Sequence, residues 1–248
     1  MPGTMIITGA GRGIGAATAR LAATRGYSVA VNYVKDDRAA NAVVSDIRAS
    51  GGAAIAIRAD VSREAEVERL FREAVRELGP LTVLVNNAGI VDHTARVDEM
   101  REARLQRMMA VNVVGSFLCA AEAVRRMSTL HGGHGGNIVN LSSAAAKYGS
   151  PREYVDYAAS KAAVDVFTIG LAREVAAEAI RVNAVRPGII DTEIHASSGD
   201  PARAQRLAPQ LPLHRPGTAR EVANAILWLV SDEASYCTGS ILDVAGGR

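Results

Sequence analysis

Short apolar segments alternate with long helical patterns along the chain, and this alternation restricts the possible folds more than any other feature. The apolar segments lack polar alternation, as in Thr82-Val83-Leu84-Val85, which is typical of strands that are covered on both faces. The predicted strands are residues 4–8, 28–34, 53–58, 81–86, 137–142, 181–186 and 240–244. The predicted helices are residues 14–25, 38–49, 63–78, 98–127, 157–178 and 219–230.

Repeated strand–helix units predict an α/β fold, in which right-handed crossovers place helices on both faces of a parallel sheet. We expect a single domain over residues 1–248, doubly wound and of the Rossmann type, with about seven strands. The segment 189–217 is longer than the connection between the sixth strand and the last helix requires. Because ligands bind beyond the carboxyl ends of such strands, we predict that this insertion is a substrate lid.

Composition and charge exclude several classes of protein. The 28 basic residues are interspersed with 26 acidic ones, so we expect no nucleic-acid partner. No run of about 18 apolar residues predicts a membrane span, and no signal peptide is recognisable. The two cysteines, Cys119 and Cys237, lack metal or redox spacing, which favours a reducing, cytoplasmic location. His131 and His134 have no carboxylate or cysteine nearby, so we predict no metal site.

A glycine-rich segment, Thr8-Gly9-Ala10-Gly11-Arg12-Gly13-Ile14-Gly15, follows the first strand and opens the first helix. Glycine allows the backbone to approach a pyrophosphate closely, and the helix N-terminus supplies N–H groups and a positive dipole. The position between strand and helix therefore predicts a dinucleotide-binding turn. Its spacing follows the pattern T-G-x-x-x-G-x-G rather than G-x-G-x-x-G.

Five motifs in chain order resemble those of the short-chain dehydrogenase/reductase family. Besides the glycine turn they are Asn86-Asn87-Ala88-Gly89, Asn140-Leu141-Ser142-Ser143, Tyr157-Ala158-Ala159-Ser160-Lys161 and Arg186-Pro187-Gly188-Ile189-Ile190-Asp191-Thr192. The resemblance covers the whole chain and is greatest to the 3-oxoacyl-carrier-protein reductase and glucose 1-dehydrogenase branch. It implies an oxidoreductase that transfers a hydride between a nicotinamide dinucleotide and a small carbonyl or alcohol substrate.

Tyr157 and Lys161 are the predicted catalytic pair. Their spacing of four residues places both on one face of a helix. A tyrosine with a pKa of about 10 is a poor base at neutral pH, and we expect the lysine cation to lower that pKa. Tyr157 can then exchange a proton with the substrate oxygen. Tyr148 and Tyr154 have no lysine four residues on, and we expect Tyr154 to line the substrate pocket.

Two further catalytic residues are implied by the resemblance. Ser143 is expected to hold the substrate oxygen, with the alternative that Ser142 does so and Ser143 only caps the backbone. Asn112 is expected to hold a water near Lys161 in a proton relay. The alternative for Asn112 is a polar residue that bends its helix by bonding to the backbone.

The resemblance also implies a set of dinucleotide contacts. They are Gly9, Arg12, Gly13, Ile14, Gly15, Asn32, Tyr33, Asp60, Val61, Asn87, Ala88, Gly89, Tyr157, Lys161, Pro187, Gly188, Ile190 and Thr192. Asp60 and Val61 resemble the pair at the adenine edge, and Ile190 and Thr192 resemble residues near the carboxamide. The alternative for Asp60 is a role in the turn before the third helix.

The end of the second strand predicts the choice of dinucleotide. An NAD-dependent protein usually places a carboxylate there, whereas this chain has Asn32. Arg12 can pair with a 2′-phosphate through charge-assisted hydrogen bonds. We therefore predict NADP(H) as the preferred cofactor, with NAD(H) second. We interpret Asp36 and Asp37 as the cap and first turn of the next helix, although a longer strand would let Asp36 reach the ribose.

Assembly and activity leave one alternative each. The long helices 98–127 and 157–178 and the last strand predict a homotetramer with two-fold symmetry, because related proteins pair through these elements. The alternative assembly is a dimer. The alternative function is a catalytically silent protein that senses a dinucleotide on the same fold.

Overall fold

A sheet of seven parallel strands forms the centre of the computed structural model, which describes residues 2–194 and 198–248. The strand order is β3-β2-β1-β4-β5-β6-β9. The strands are β1 (Thr4–Ile7), β2 (Ser28–Tyr33), β3 (Ala54–Arg58), β4 (Leu81–Asn86), β5 (Gly136–Leu141), β6 (Ile180–Pro187) and β9 (Ile241–Val244). The predicted seven-stranded, doubly wound α/β fold is confirmed, with each strand boundary within one residue of its prediction.

Helices cover both faces of this sheet. They are α1 (Gly13–Thr24), α2 (Asp37–Ala49), α3 (Glu64–Leu78), α4 (Glu102–Met109), α5 (Gly115–Met127), α6 (Ala145–Tyr148), α7 (Val155–Val175), α8 (Arg203–Leu207) and α9 (Ala219–Leu229). The last of the predicted helices begins as expected, because Thr218 and Glu221 form a reciprocal capping box at the start of α9.

The strands are mainly apolar because successive residues enter two different cores. Ile7 and Val31 lie in the cluster under α1, α2 and α9, whereas their neighbours Ile6 and Ala30 lie in the cluster under α3, α5 and α7. This alternation is the period of two that a strand imposes on its side chains. Cys119 belongs to the second cluster and is fully buried, whereas Cys237 is partly buried.

The predicted helix 98–127 is interrupted. Helices α4 and α5 are separated by a π-helical turn over Ala110–Val114, which contains Asn112. The side chain of Asn112 bonds outside its own helix, to the backbone of Ile90, and the Ser116 hydroxyl donates to the Asn112 carbonyl oxygen at 3.0 Å. These bonds favour the wider turn over a regular one, and periodicity alone does not reveal them.

The span Glu102–Met127 is also the one candidate, among the described residues, that is long and apolar enough to cross a membrane. Its most apolar window has a mean hydropathy of 1.3, and 44% of that window is buried inside the protein. Helix α5 packs on β4 and α3, and a core helix meets the same criterion of length and composition.

The insertion after β6 has a small core of its own. Strands β7 (Ile190–Asp191) and β8 (Gly217–Thr218) pair in parallel, and Ile189, Ala204 and Leu211 form a separate apolar cluster. Residues 195–197 of the predicted lid lie outside the described residues. The insertion therefore lies beside the main cores without adding a strand to the large sheet.

Candidate active site

The glycine turn leads from β1 into α1 along a path that requires glycine. Gly9 and Gly13 have φ angles of +61° and +54°. A Cβ on Gly15 would lie 2.6 Å from Nδ2 of Asn87 and 2.7 Å from the carbonyl oxygen of Gly9. Arg12 is the N-cap residue but makes no side-chain capping bond, and the first turn has no acidic residue. The helix start therefore has the features of a phosphate site.

Thr8 and Asn87 fasten this turn to the loop after β4. The Thr8 hydroxyl accepts the backbone N–H groups of Asn87 and Ala88, at 3.0 and 2.9 Å. In return the Asn87 amide donates to the carbonyl oxygens of Thr8 and Gly9, at 2.8 and 3.0 Å. The predicted contacts Gly9, Asn87 and Ala88 thus lie together, while Ile14 packs partly buried against the core below α1.

Asn32, one of the predicted dinucleotide contacts, lies beneath the glycine turn. Asn32 is fully buried; its Oδ1 accepts the N–H of Gly9 at 3.1 Å, and its Nδ2 donates to the carbonyl oxygen of Ala59 at 2.9 Å. The amide therefore shapes the glycine turn from beneath. Tyr33, the next residue, ends β2 and is partly buried against the core. The sequence placed Asn32 near the end of the strand but did not show which way its side chain points.

The prediction for Asp36 is confirmed. Strand β2 ends at Tyr33, and Oδ1 of Asp36 accepts the N–H of Ala39 at 2.9 Å as the N-cap of α2. Asp37 lies in the first turn of the same helix. The alternative, in which a longer strand carries Asp36 toward a ribose, does not match this geometry.

A basic cavity lies beyond the carboxyl ends of β2 and β3. Its volume is about 650 Å³, and its lining residues are Val34, Lys35, Arg58, Asp60, Arg63, Glu66 and Arg69. Oδ1 of Asp60 accepts the N–H and hydroxyl of Ser62, at 3.0 and 2.7 Å, so Asp60 does form the turn given as its alternative. It also lines the cavity. The Val61 side chain is buried in the core, so its contact with a dinucleotide stays a prediction.

Ser143, Tyr157 and Lys161 meet where β5 ends against α7. The Ser143 hydroxyl lowers the pKa of the Tyr157 phenol by hydrogen bonding. Its Oγ also accepts the N–H of Ala145 at 3.2 Å, which is the backbone-capping role given as its alternative. Lys161 Nζ lies 5.8 Å from the centroid of the Tyr157 ring and donates to the Leu141 carbonyl oxygen at 2.7 Å. The alternative residue, Ser142, is turned away and donates to the Lys161 carbonyl oxygen at 3.1 Å. The geometry therefore places Ser143, not Ser142, beside Tyr157.

The expected lowering of the Tyr157 pKa is not observed. Burial raises the pKa of Tyr157 to about 12, and the hydrogen bond from Ser143 offsets only part of that increase. Burial also lowers the pKa of Lys161 to about 8, against the opposing field of Asp165. The prediction was wrong because the sequence shows the spacing of the two residues but not how completely the fold removes them from water. Tyr157 is therefore a neutral phenol at neutral pH.

Asn112 connects the π turn to the same cluster. Its Oδ1 accepts the N–H of Ile90 at 2.8 Å, and its Nδ2 donates to the Ile90 carbonyl oxygen and to Ser160 Oγ, both at 3.0 Å. A Cβ on Gly89 would lie 3.3 Å from Lys161 Nζ, so Gly89 permits the lysine to approach this loop. Asn112 therefore interrupts its helix and lies beside Gly89, as Lys161 does, while its part in a proton relay stays a prediction.

The predicted contacts after β6 lie opposite the glycine turn. The N–H of Gly188, which follows Pro187, donates to the Val244 carbonyl oxygen at 3.0 Å and anchors the loop on β9. A Cβ on Gly13 would lie 3.5 Å from the Thr192 side chain. Ile190 is buried in β7. The two ends of the predicted dinucleotide site thus face each other across the carboxyl edge of the sheet.

Tyr154 does not line an open pocket. It is 5% exposed, and its hydroxyl is buried without a hydrogen-bond partner in the described parts of the chain. Arg203 of α8 lies over the ring at 5.2 Å and donates to Glu153 at 2.6 Å. The insertion thus covers the residue that was expected to meet the substrate.

Sequence reasoning missed a buried row of polar side chains beneath the site. Asn86 Nδ2 donates to Asn140 Oδ1, and Asn140 Nδ2 donates to Thr168 Oγ1, each at 2.9 Å. The row links β4, β5 and α7. The sequence feature that could have predicted this row is the asparagine near the end of each apolar strand, Asn86 in β4 and Asn140 in β5.

A second missed contact fixes the start of α7. Arg104 donates to both oxygens of Asp156, at 2.7 and 3.2 Å, and to the His93 carbonyl oxygen at 2.7 Å. The Asp156 side chain is fully buried and directly precedes Tyr157. No periodic pattern distinguished Arg104 from Arg107, the other basic residue of α4.

Comparison with known proteins identifies the family. A sequence model described as enoyl-(acyl carrier protein) reductase matches residues 9–248. A Serratia marcescens short-chain dehydrogenase/reductase variant superposes with a TM-score of 0.90 at 34% identity, covering 99% of this chain and 97% of that one. The chain belongs to the short-chain dehydrogenase/reductase family. It is thereby placed among oxidoreductases.

Other relatives of this short-chain dehydrogenase/reductase carry different names. An uncharacterized oxidoreductase of Escherichia coli is 52% identical over 243 residues, covering 98% of both chains. A 3-oxoacyl-[acyl-carrier-protein] reductase of Staphylococcus aureus is 39% identical over 247 residues, covering 100% of this chain and 98% of the relative. A blue fluorescent protein from a metagenomic library, solved in complex with NADPH, has a TM-score of 0.89 at 35% identity and covers 99% and 97% of the two chains.

Proposed function

We propose that this short-chain dehydrogenase/reductase transfers a hydride between a nicotinamide dinucleotide and a carbonyl or alcohol carbon, acting on CH–OH groups. The observation that carries the proposal is the meeting of Ser143, Tyr157 and Lys161 next to a phosphate-type glycine turn. The turn fits a dinucleotide because Gly15 leaves space that a Cβ would fill and no side chain caps α1. Relatives named as reductases support the reaction class.

In the proposed reaction, the bound dinucleotide supplies or accepts the hydride. Tyr157 is protonated at neutral pH, so it donates its phenol proton to the substrate oxygen as negative charge develops there. The Ser143 hydroxyl holds the same oxygen. The Lys161 ammonium stabilises the phenolate that remains on Tyr157, and Asn112 holds the neighbouring loop through Ile90. In the reverse direction the phenolate accepts the alcohol proton.

Replacing Tyr157 by Phe tests this proposal. We expect kcat to fall by at least about 10³-fold, because the proton donor is lost. The Kd for NADPH, measured by fluorescence, should change little. The matched control is Tyr148→Phe, which removes a half-exposed phenol near the same site and should keep most of the activity. A loss of less than tenfold in Tyr157→Phe would refute the assignment.

The main alternative is a catalytically silent sensor of dinucleotides. It predicts NADPH binding without turnover of any ketoester, sugar or acyl thioester in either direction. The polar groups at Ser143, Tyr157 and Lys161 favour the enzyme, because a sensor needs no buried proton donor.

We propose NADP(H) as the preferred cofactor, with NAD(H) second. Lys35 lines the basic cavity at the end of β2, the Asp36 carboxylate is occupied as a helix cap, and the buried amide of Asn32 brings no repelling charge. A solved relative in complex with NADPH supports the same choice. A charge-assisted hydrogen bond contributes about 1.5–3 kcal/mol, which corresponds to roughly ten- to hundredfold in affinity.

The ratio of kcat/KM for NADPH to that for NADH measures this preference. Arg12→Ala and Lys35→Ala should each lower the ratio, because the 2′-phosphate loses a cationic partner. Arg173→Ala, which removes an exposed arginine on α7, is the matched control and should leave the ratio unchanged. Equal or better turnover with NADH in the unmodified protein would contradict the preference.

We also propose that residues 1–248 act as one domain in which the insertion 189–217 is a lid. The support is the contact between α8 and the start of α7, where the Arg203 guanidinium donates to Glu153 and covers the Tyr154 ring. Substrate entry would then require this contact to open.

A homotetramer is the assembly we propose. Helices α5 and α7 share an exposed apolar face, on which the rings of Phe117 and Phe167 stack with their centroids 3.7 Å apart. On the same face, Phe117 is 48% exposed and Val166 is 71% exposed. A face of this kind favours pairing across a two-fold axis. A second pairing through α9 and β9, where Trp228 is 38% exposed, would complete the tetramer.

A further inference from the structure

A chain of alternating charges runs from the centre of α7 to the surface beside α6. Arg186 donates hydrogen bonds from Nε and Nη2 to Oδ2 of Asp165, at 3.0 and 2.8 Å. Arg186 Nη1 also lies 3.7 Å from Oδ1 of Asp243, and Lys147 Nζ donates a hydrogen bond to Oδ2 of Asp243 at 2.8 Å. The Asp243 side chain is 38% exposed, whereas that of Asp165 is only 7% exposed. The inner end of the chain is therefore far less screened by water than its outer end.

Asp165 lies one helical turn beyond Lys161, so the two side chains share a face of α7. Both residues are at least nine-tenths buried. Oδ1 of Asp165 is buried and has no hydrogen-bond partner among the residues that the structure describes. A carboxylate with one unbonded oxygen in a dry environment keeps a strong field on its neighbours.

We infer that Asp165 is a positioning residue for Lys161: its carboxylate keeps the buried ammonium charged, and Arg186 limits the strength of that effect. The inference deepens the proposed function and rests on the role given there to Lys161. It assigns a purpose to a buried carboxylate that the proposed reaction does not otherwise use. It also connects the catalytic helix to β6, which ends in the Pro187-Gly188 loop of the predicted cofactor site.

The other charges near Lys161 do not replace Asp165. On the elements that pack against α7 they are Lys147 and Tyr148 of α6, Arg186 of β6 and Arg104 of α4, and on α7 itself they are Tyr157 and Asp156. Asp156 is bound on both oxygens by Arg104, and the π turn and the end of β5 bring neutral amides and hydroxyls. Asp165 is the group whose negative charge opposes the effect of burial on the Lys161 pKa.

The pH dependence of activity tests this inference. The ammonium is present below the Lys161 pKa of about 8 and is lost as pH rises through it, so activity should decline on the alkaline side. Asp165→Asn removes the opposing charge, and we expect the alkaline limb of kcat/KM to move down by about one pH unit. The pH at which the Kd for NADPH begins to rise should move with it, which gives a readout independent of turnover. Asp165→Ser, neutral and smaller, should give the same direction.

Asp243→Asn is the matched control, because it removes the same charge from the other partner of Arg186 at an exposed position. Its alkaline limb should stay within about 0.2 units of the unmodified protein, since solvent screens that carboxylate. Normal turnover with an unmoved limb in both Asp165 variants would overturn the inference, as would an equal shift in Asp243→Asn. Absence of turnover in the unmodified protein would instead refute the proposed function.

Discussion

Replacing Gly15 by Ala tests whether the glycine turn is built for close approach. The new Cβ would lie 2.6 Å from Asn87 Nδ2, 2.7 Å from the Gly9 carbonyl oxygen and 2.9 Å from Ala10 Cα. Two of these three atoms belong to the backbone, so relief requires the turn itself to move. Overpacking of this kind costs about 1–3 kcal/mol, and we take the upper end because no flexible side-chain tip can absorb all three contacts.

The gain in helix propensity offsets part of that cost. Alanine is favoured over glycine within a helix by about 1 kcal/mol. The net destabilisation of Gly15→Ala is therefore about 2 kcal/mol, from the two preceding estimates. Displacement of the turn at Gly9 and Ala10 by the same strain should weaken NADPH binding by roughly 30-fold.

Gly170→Ala is the matched control. Gly170 also lies within a helix, α7, and a Cβ there would meet no atom within 4 Å. This variant should be more stable by up to about 1 kcal/mol and should bind NADPH normally. Thermal unfolding followed by circular dichroism, together with fluorescence titration of NADPH, distinguishes the two. If Gly15→Ala matches the unmodified protein in both Tm and Kd, the close-packing argument is wrong.

Three further outcomes follow from particular contacts. Between pH about 8 and 10.5 the unfolded chain binds a proton at Lys161 that the folded chain has released. This group should therefore make the free energy of unfolding, measured in urea titrations, rise with pH. Comparison with Lys161→Met isolates the effect of this group, and a contribution that falls with pH would contradict its lowered pKa. Tyr154→Phe should leave the free energy of unfolding unchanged or raise it slightly, because the buried hydroxyl has no partner within the described residues. A decrease of more than about 2 kcal/mol in denaturant titrations would show that the hydroxyl is hydrogen-bonded. Phe117→Asp should convert a tetramer into smaller species, measured by light scattering at micromolar concentration. Leu130 is also apolar and is 77% exposed, but it lies outside the α5–α7 face, so Leu130→Asp should leave the assembly unchanged. A monomeric unmodified protein would refute the proposed assembly.

The sheet could be predicted from the sequence because burial on both faces makes most residues of each strand apolar. Ile6 and Ile7 enter different cores, and the resulting apolar run marked β1 to within a residue. The cap at Asp36 was also readable, since capping is a local interaction between residues three positions apart.

The failures concern directions and environments that local patterns do not encode. The amide of Asn32 could point out toward a phosphate or in toward Gly9, and only the packing of β2 under the glycine turn decides between them. Likewise the spacing of Tyr157 and Lys161 is local, whereas the burial that sets their pKa values comes from the whole fold. The interruption of the helix at Asn112 depends on Ile90, which is 22 residues away.

That interruption has a geometric consequence for the two ends of the helical span. The π turn inserts one additional residue, which rotates everything after it by about 100° relative to an unbroken helix. Before the turn, Arg104 reaches across to Asp156 on α7; after it, Cys119 and Ala123 face the sheet. In a regular helix these two faces would be out of register, and only one of them could be satisfied. The inserted residue therefore restores the orientation that both ends need. It allows one continuous helical segment to bind α7 through Arg104 at one end and to pack in the core through Cys119 and Ala123 at the other.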